Sequence, residues 1–396
     1  MIKRLGLKFL RPFYTKNIIS NLTQLIIPFY VIYFLNIWLN LRQIALISSF
    51  RSIVSLISEI PTWTIADLYW KKISVILWFI LSWITVFCIP FFHSFTWICI
   101  IFCINALTET LFSGSDQAWI SDVIEKNDKN LIDSYFSWSR SISNFCFIFA
   151  GILASLVAKY LWYDWLWFIY GAGTIIAGII LCFAENWKEW YEEEWEDWLK
   201  KDFWLHIKST FKYIVKNKTI CLLFLWIALF YIIDELTGLV WTPYIQELWI
   251  DIDNLGFIYW IIWVCWIFVP LIAEKILKKQ KNSMLYILGV CIWMAILLVI
   301  SSISTSVILI IWIFVVYNFI DDFILPIDTT LTNKVSEKSK RSTILSVKSM
   351  VENLACIIWW PLAWVLLGYI SYSRWLLVAA LLMIIMGVVY YLVQKI

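Results

Sequence analysis

Long uninterrupted apolar runs limit what this chain can become more than any other feature. A helix that crosses the hydrocarbon core needs about 20 consecutive apolar residues. Twelve stretches meet that need: 17–38, 43–62, 73–92, 95–116, 138–159, 164–184, 219–242, 254–274, 283–301, 305–328, 342–369 and 374–394. They use up most of the 396 residues and leave mainly short loops. In lipid every backbone N–H and C=O must be satisfied within the segment, so runs of this kind form helices. Only 15% of the residues are charged, against about 25% in an ordinary soluble domain. A soluble globular domain and a disordered chain are both excluded. The expected fold class is an all-α membrane protein with twelve transmembrane helices in two pseudo-symmetric six-helix bundles, acting as a monomer.

Orientation follows from the basic residues. If the termini and the 2–3, 4–5, 6–7, 8–9 and 10–11 loops share one side, that side and the nearby helix ends hold all but four of the 31 Lys and Arg residues. The exceptions are Arg42, Arg51, Lys159 and Arg374. Basic loops stay in the cytoplasm, so both termini are expected there, in a multi-pass protein of the cytoplasmic membrane. The basic N-terminus runs straight into span 1 without a small-residue cleavage site, and no removed signal peptide is expected.

The longest loop divides the chain into 1–184, a cytoplasmic linker 185–218, and 219–396. In the linker Phe203, Ile207, Phe211 and Ile214 recur at helical spacing, while Lys208, Lys212 and Lys216 fall on another face. That pattern suits an amphipathic helix lying on anionic membrane lipid; the alternative is a solvated linker. The halves also repeat each other. The segment 65–72 after span 2 aligns without gaps to 272–279 after span 8, and span 5 from Asn144 aligns to span 11 from Asn353. Offsets near 207–209 point to duplication of a six-helix unit.

Polar stripes inside the membrane mark faces turned toward protein or water. Span 1 carries Asn17, Asn21, Gln24 and Pro28; span 4 carries Asn105, Glu109, Ser113 and Asp116. Span 7 carries Asp234, Glu235 and Thr237, and span 10 carries Asn318, Asp321, Asp322 and Asp328. These are the first and fourth spans of each half, and the simplest arrangement sets them around a central path. Ionised at mid-bilayer, each acid costs about 2.5 kcal/mol or more unless paired or hydrated. The basic residue well inside is Arg51 on span 2. The candidate cavity residues are therefore Asn21, Gln24, Arg51, Glu109, Asp116, Asp234, Glu235, Asn318, Asp321 and Asp322. An acidic cavity suits protonation coupling or a cationic solute. The alternative is that some acids, Asp321 and Asp322 above all, bond between helices or pair with Arg51.

No competing chemistry emerges. His93 and His206 lie far apart in loop regions, so no nucleophile–base set can be built. The nine cysteines fall almost wholly in apolar runs without CxxC spacing, so neither a metal site nor a disulfide framework is expected. No Walker A sequence is present. Basic residues are scattered rather than clustered, which argues against nucleic acid. The chain reads as no enzyme and needs no cofactor; its partners are a small-molecule substrate, protons or another coupling ion, and lipid.

With twelve spans, two halves and a basic loop after span 2, the chain resembles the major facilitator superfamily over nearly its whole length. That family's signature between helices 2 and 3 is Gly-x-x-x-Asp-x-x-Gly-Arg/Lys-Lys/Arg. Asp67, Lys71 and Lys72 fit it, while Trp63 and Trp70 stand where it has glycine. The resemblance implies that Asp67 faces the cytoplasmic end of span 11 and that Lys71 pairs with an acid at the end of span 4, with Asp122 as the candidate. It implies contacts that hold the halves together and break during alternating access. The span 4 arginine motif and the span 5 Gly/Pro motif of drug–proton antiporters are missing. The implied function is proton-coupled secondary transport, with efflux of cationic or drug-like compounds as one outcome. Transport of a sugar, amino acid or metabolite is an alternative, as is a non-transporting receptor that keeps the fold.

The chain has 11 glycines against 28 tryptophans, whereas membrane helices need small residues where they pack closely. Trp360 aligns with Gly151 in the repeat, and Trp260, Trp263 and Trp266 stand at small-residue spacing. One reading is that the source organism decodes UGA as glycine. Under it the suspected positions are 38, 63, 70, 78, 83, 138, 162, 249, 260, 263, 266, 359, 360 and 364, with Trp119 and Trp241 genuine. The other reading is a Trp-rich protein with interfacial aromatic belts.

Overall fold

The computed structural model describes residues 8–68, 71–112, 115–128, 131–184, 214, 216–248, 251–267, 283–321, 341–366 and 369–395. The amphipathic segment expected at 203–216 falls almost wholly outside them, as do Trp70, Trp249 and Asp322. Trp63 and Asp67 lie on a described helix, but their side chains, like that of Trp364, are outside the description.

Among the described residues, eight helices are long and apolar enough to cross a membrane. Shorter apolar helices at Leu255–Trp266, Leu288–Ile303, Val307–Asp321 and Met350–Ala363 occupy spans 8 to 11. Among the described residues the regular elements are all helical.

The chain divides into two compact units. The first holds Met1–Lys188 together with Gln246–Ile267. It contains α1 (Arg11–Thr23), α2 (Tyr30–Asn36), α3 (Leu41–Leu68), α4 (Lys71–Cys88), α5 (Phe95–Phe112), α6 (Ser115–Asp128), α7 (Ile132–Tyr160), α8 (Asp164–Cys182) and α10 (Leu255–Trp266). The second unit holds Glu189–Ile245 and Phe268–Ile396. It is built from α9 (Lys218–Glu247), α11 (Ser283–Ile303), α12 (Val307–Asp321), α13 (Arg341–Leu366) and α14 (Tyr372–Lys395).

Proline sets the interruptions. Pro28 cannot donate a backbone N–H, and its ring crowds the carbonyl four residues earlier, which belongs to Gln24. Span 1 breaks there: α1 stops at Thr23, Gln24 leaves helical geometry at φ −73°, ψ 54°, and a 3₁₀ turn at Ile27–Phe29 leads into α2. Pro90 likewise ends the third span in a 3₁₀ turn, while Pro243 and Pro361 sit inside α9 and α13.

In the first unit α3 packs on α5, and α4 on α8; α8 in turn meets α1, which also packs on α7. At one end Phe13, Val75, Phe79, Trp119, Tyr135 and Leu181 form a buried cluster, with Phe13 and Trp119 edge to face at 5.0 Å. Asn105 of α5 donates to Thr85 of α4 at 3.0 Å. In the second unit α11 packs along α14. Those are spans 9 and 12, the counterparts of spans 3 and 6, which are α4 and α8. The same packing thus recurs six spans later.

Gln246–Ile267 belongs with the first unit for a physical reason. A Cβ on Gly151 of α7 would lie 2.9 Å from the Gly256 carbonyl oxygen, and one on Gly256 would lie 2.8 Å from the Ser155 amide nitrogen. Only glycine lets two helix backbones come this close. The sequence repeat puts its boundary at 219, and this glycine contact draws α10 to the earlier helices.

Candidate functional site

The break in span 1 positions the first cluster. Gln24, released from the helix, shares a hydrogen bond with Tyr170 of α8, and Tyr170 feels the charges of Glu109 and Arg51. The Arg51 guanidinium of α3 donates to the Glu109 carboxylate of α5. Their side chains remain 46% and 49% exposed. A charged pair half open at mid-span is stable only against water, because hydrocarbon penalises it by several kcal/mol. Glu109 is one partner of Arg51.

Other expected cavity residues are held elsewhere. Asp116, at the start of α6, receives both carboxylate contacts from Lys16 Nζ, at 3.0 and 2.8 Å. Their side chains are only 5% and 13% exposed, so this pair is buried. Asn21 donates to Ser143 Oγ at 2.9 Å and to the Asn17 carbonyl at 2.6 Å. Together with the 2.5 Å bond from Asn17 to Ser139, it stitches α1 to α7.

At the start of α4, Lys71 pairs with Asp122 of α6 at 2.7 Å, both about one-third exposed. Lys72 donates to the carbonyls of Cys182 and Ala184, at 3.0 and 2.7 Å. A cation there meets the negative end of the α8 dipole.

In the second unit α9 presents an open face. Asp234 is exposed, and Gly238, one turn on, has nothing within 4 Å of where a Cβ would sit; Ile233, Leu236 and Thr237 are buried. A mid-span carboxylate on such a face again calls for water. Glu235 accepts from the Cys356 thiol of α13 at 3.8 Å. The buried Tyr317 of α12 is surrounded by Asp321, Thr237, Asp234 and Cys291 of three helices, and Asn318 donates to the Phe314 carbonyl of its own helix at 2.8 Å. Asp234, Glu235 and Asp321 are thus gathered in one region.

Sequence reasoning missed Tyr170 and Lys16, and also a pair of bonds at the opposite end of the first unit. There Tyr163 donates to Asp253 at 3.0 Å and Tyr33 to Asp164 at 2.9 Å. Burial first, and then the bond to Asp253, raise the Tyr163 phenol above its ordinary value, so it remains a neutral donor. Tyrosines inside aromatic runs give no periodic signal. Lys16 was hidden because it reads as one more charge of a basic N-terminus.

The fold and this distribution of charge define a polytopic helical membrane protein that carries polar and charged groups on its spans. Residues 17–360 match the model of the Major Facilitator Superfamily, and the chain belongs to that family. It is similar to the uncharacterized MFS-type transporter YxaM of Bacillus subtilis (strain 168), with 36% identity over 97 residues, 24% of either chain. Among solved structures, the nucleoside transporter NupG aligns at 14% identity and TM-score 0.75, covering 97% of this chain and 99% of that one. The D-xylose–proton symporter aligns at 11% and 0.74, covering 97% and 98%. A bacterial homolog to the human lysosomal transporter Spinster, inward-facing and unoccupied, aligns at 15% and 0.72, covering 96% and 95%. The chain is thus an all-α membrane transporter with the superfamily fold, and not an enzyme.

Proposed function

We propose that this protein is a secondary transporter that carries a small polar solute across the cytoplasmic membrane by alternating access, coupled to protons. Both termini lie in the cytoplasm, and the halves 1–184 and 219–396 are joined by the linker 185–218. The observation that carries the substrate reading is the Arg51–Glu109 pair, half open at mid-span beside Gln24 and Tyr170. A guanidinium, a carboxylate, an amide and a phenol offer donors and acceptors in one place. They suit a neutral or zwitterionic solute rich in hydroxyl, amine or carboxyl groups, such as a nucleoside, sugar or amino acid. The broken helix supports this, since interrupted spans mark binding sites in transporters.

Proton coupling is assigned to Asp234 and Asp321, with Glu235 beside them. In support, these acids lie on spans 7 and 10, and spans 7 to 10 hold no Lys or Arg of their own. The same acids favour a second reading, export of a cationic compound.

Asp67, Lys71, Lys72 and Asp122, with positions 63 and 70, form the conformational switch. Support comes from the Lys71–Asp122 pair and from Lys72 on the carbonyls of the α8 end. Both are exposed enough to break without a large desolvation change.

Purified protein in liposomes under an inward pH gradient tests the proposal. Accumulation of a labelled nucleoside, pentose or amino acid, abolished by a protonophore, supports uptake. Accumulation of a cationic dye alone favours the second reading. Binding without flux of any of these overturns both.

A further inference from the structure

Position 38 has a backbone that its residue does not suit. Trp38 adopts φ 72°, and among the described residues it is the one non-glycine with positive φ. The Leu39 amide donates to the Phe34 carbonyl at 3.0 Å and the Trp38 amide to the Leu35 carbonyl at 3.2 Å. With Ile37 as the C-cap of α2, this is the paired-bond ending whose left-handed position is filled, in most helices, by glycine. A Cβ there clashes with the backbone, and a bulky aromatic makes the conformation a true outlier. Nothing offsets the strain through packing, because Trp38 is 94% exposed.

Position 260 carries the same mark by a different route. The α7–α10 seam is closed by Gly151 against Gly256, and the Trp260 Cα would lie 3.1 Å from a Cβ on Gly151. Residue 260 is four after Gly256, so both stand on one helix face, at the spacing that small residues take where backbones touch. An indole must then bend away from the contact point. Position 360, in turn, aligns with Gly151 in the repeat.

We propose that the native polypeptide carries glycine at positions 38 and 260, encoded by UGA, a codon that the source organism reads as glycine. The strain at 38 and the backbone contact at 260 belong to independent parts of the fold, and both fall among the positions suspected from composition. The same decoding at 63 and 70 completes the five-position signature around Asp67, Lys71 and Lys72.

The coding DNA and the mass of native peptides test this together. Expected are UGA codons at 38 and 260, with UGG at Trp119, and peptides spanning both positions that are lighter by one indolylmethyl group per site. UGG at either position, or a tryptophan mass, overturns the proposal. Recombinant full-length chain in detergent supplies a second reading. Trp38→Gly should raise the thermal midpoint and Trp38→Ala should not, because alanine keeps the Cβ penalty at positive φ. Equal midpoints for the two variants would show that only the exposed indole matters, and would overturn the assignment at 38.

Discussion

The two units handle charge inside the bilayer differently. In the first, acids meet bases: Lys16 with Asp116, Arg51 with Glu109, Lys71 with Asp122. In the second, Lys348 meets Glu352 on α13 at 3.5 Å, whereas Asp234, Glu235 and Asp321 stand on spans that contain no basic residue, near Tyr317, Thr237 and Cys356. On the proposed function, this contrast is a division of labour, in which one unit would offer dipolar recognition and the other exchangeable protons. The α4–α8 packing of the first unit recurs as α11–α14 in the second, while the charged groups on the two differ.

The sharpest way to break that comparison is to strip one partner from each pair. Asp116→Asn leaves Lys16 charged and buried, and loss of one member of a buried pair costs about 3–5 kcal/mol. We expect little folded protein by size-exclusion chromatography, with recovery in a Lys16→Met, Asp116→Leu double variant. Arg51→Gln or Glu109→Gln should cut solute uptake at least about tenfold, the loss of one charge-assisted bond of about 1.5 kcal/mol or more. Because this pair is half exposed, the stability cost should be smaller than at Lys16. The Arg51→Gln, Glu109→Gln double variant should regain the thermal midpoint and stay inactive. Recovery of transport would show the pair to be structural.

Smaller effects sharpen the other side. Lys71→Ala should change the melting temperature little, since a one-third exposed pair contributes about 0.2–1 kcal/mol, while shifting the rate of conformational exchange seen by single-molecule fluorescence. Tyr163→Phe should cost about 1 kcal/mol through the lost bond to Asp253. Its pH dependence has a definite sign. The phenol value is raised in the folded state, so the stabilisation is complete below the ordinary tyrosine value of about 10 and declines as pH rises above it. No change should appear near neutrality, and a loss between pH 6 and 8 would contradict the assignment.

Much of the fold was legible because hydrocarbon imposes a length and a composition on every span. The positions of the polar residues on spans 1, 4, 7 and 10 were legible for the same reason. Partners were not. Residues 51 and 109 share no sequence spacing, so Arg51 could be matched with Asp321 or Asp322 as readily as with Glu109. Asp116 looked like a cavity residue because span position says nothing about Lys16, 100 residues away. The link from Lys71 to Asp122 came from the family resemblance and not from spacing. Pro28 announced an interruption, yet only the backbone reveals that it frees Gln24 to meet Tyr170. The glycine shortage was visible in the count, while its location at position 38 needed a dihedral angle.

The division of labour rests on one measurement above others: solute uptake and counterflow in proteoliposomes for Asp234→Asn and Asp321→Asn beside the unaltered chain. Accumulation driven by an inward pH gradient should be lost in both variants, while exchange of labelled for unlabelled solute, which needs no net proton movement, persists. Variants that still accumulate solute and acidify the lumen as the unaltered chain does would contradict it.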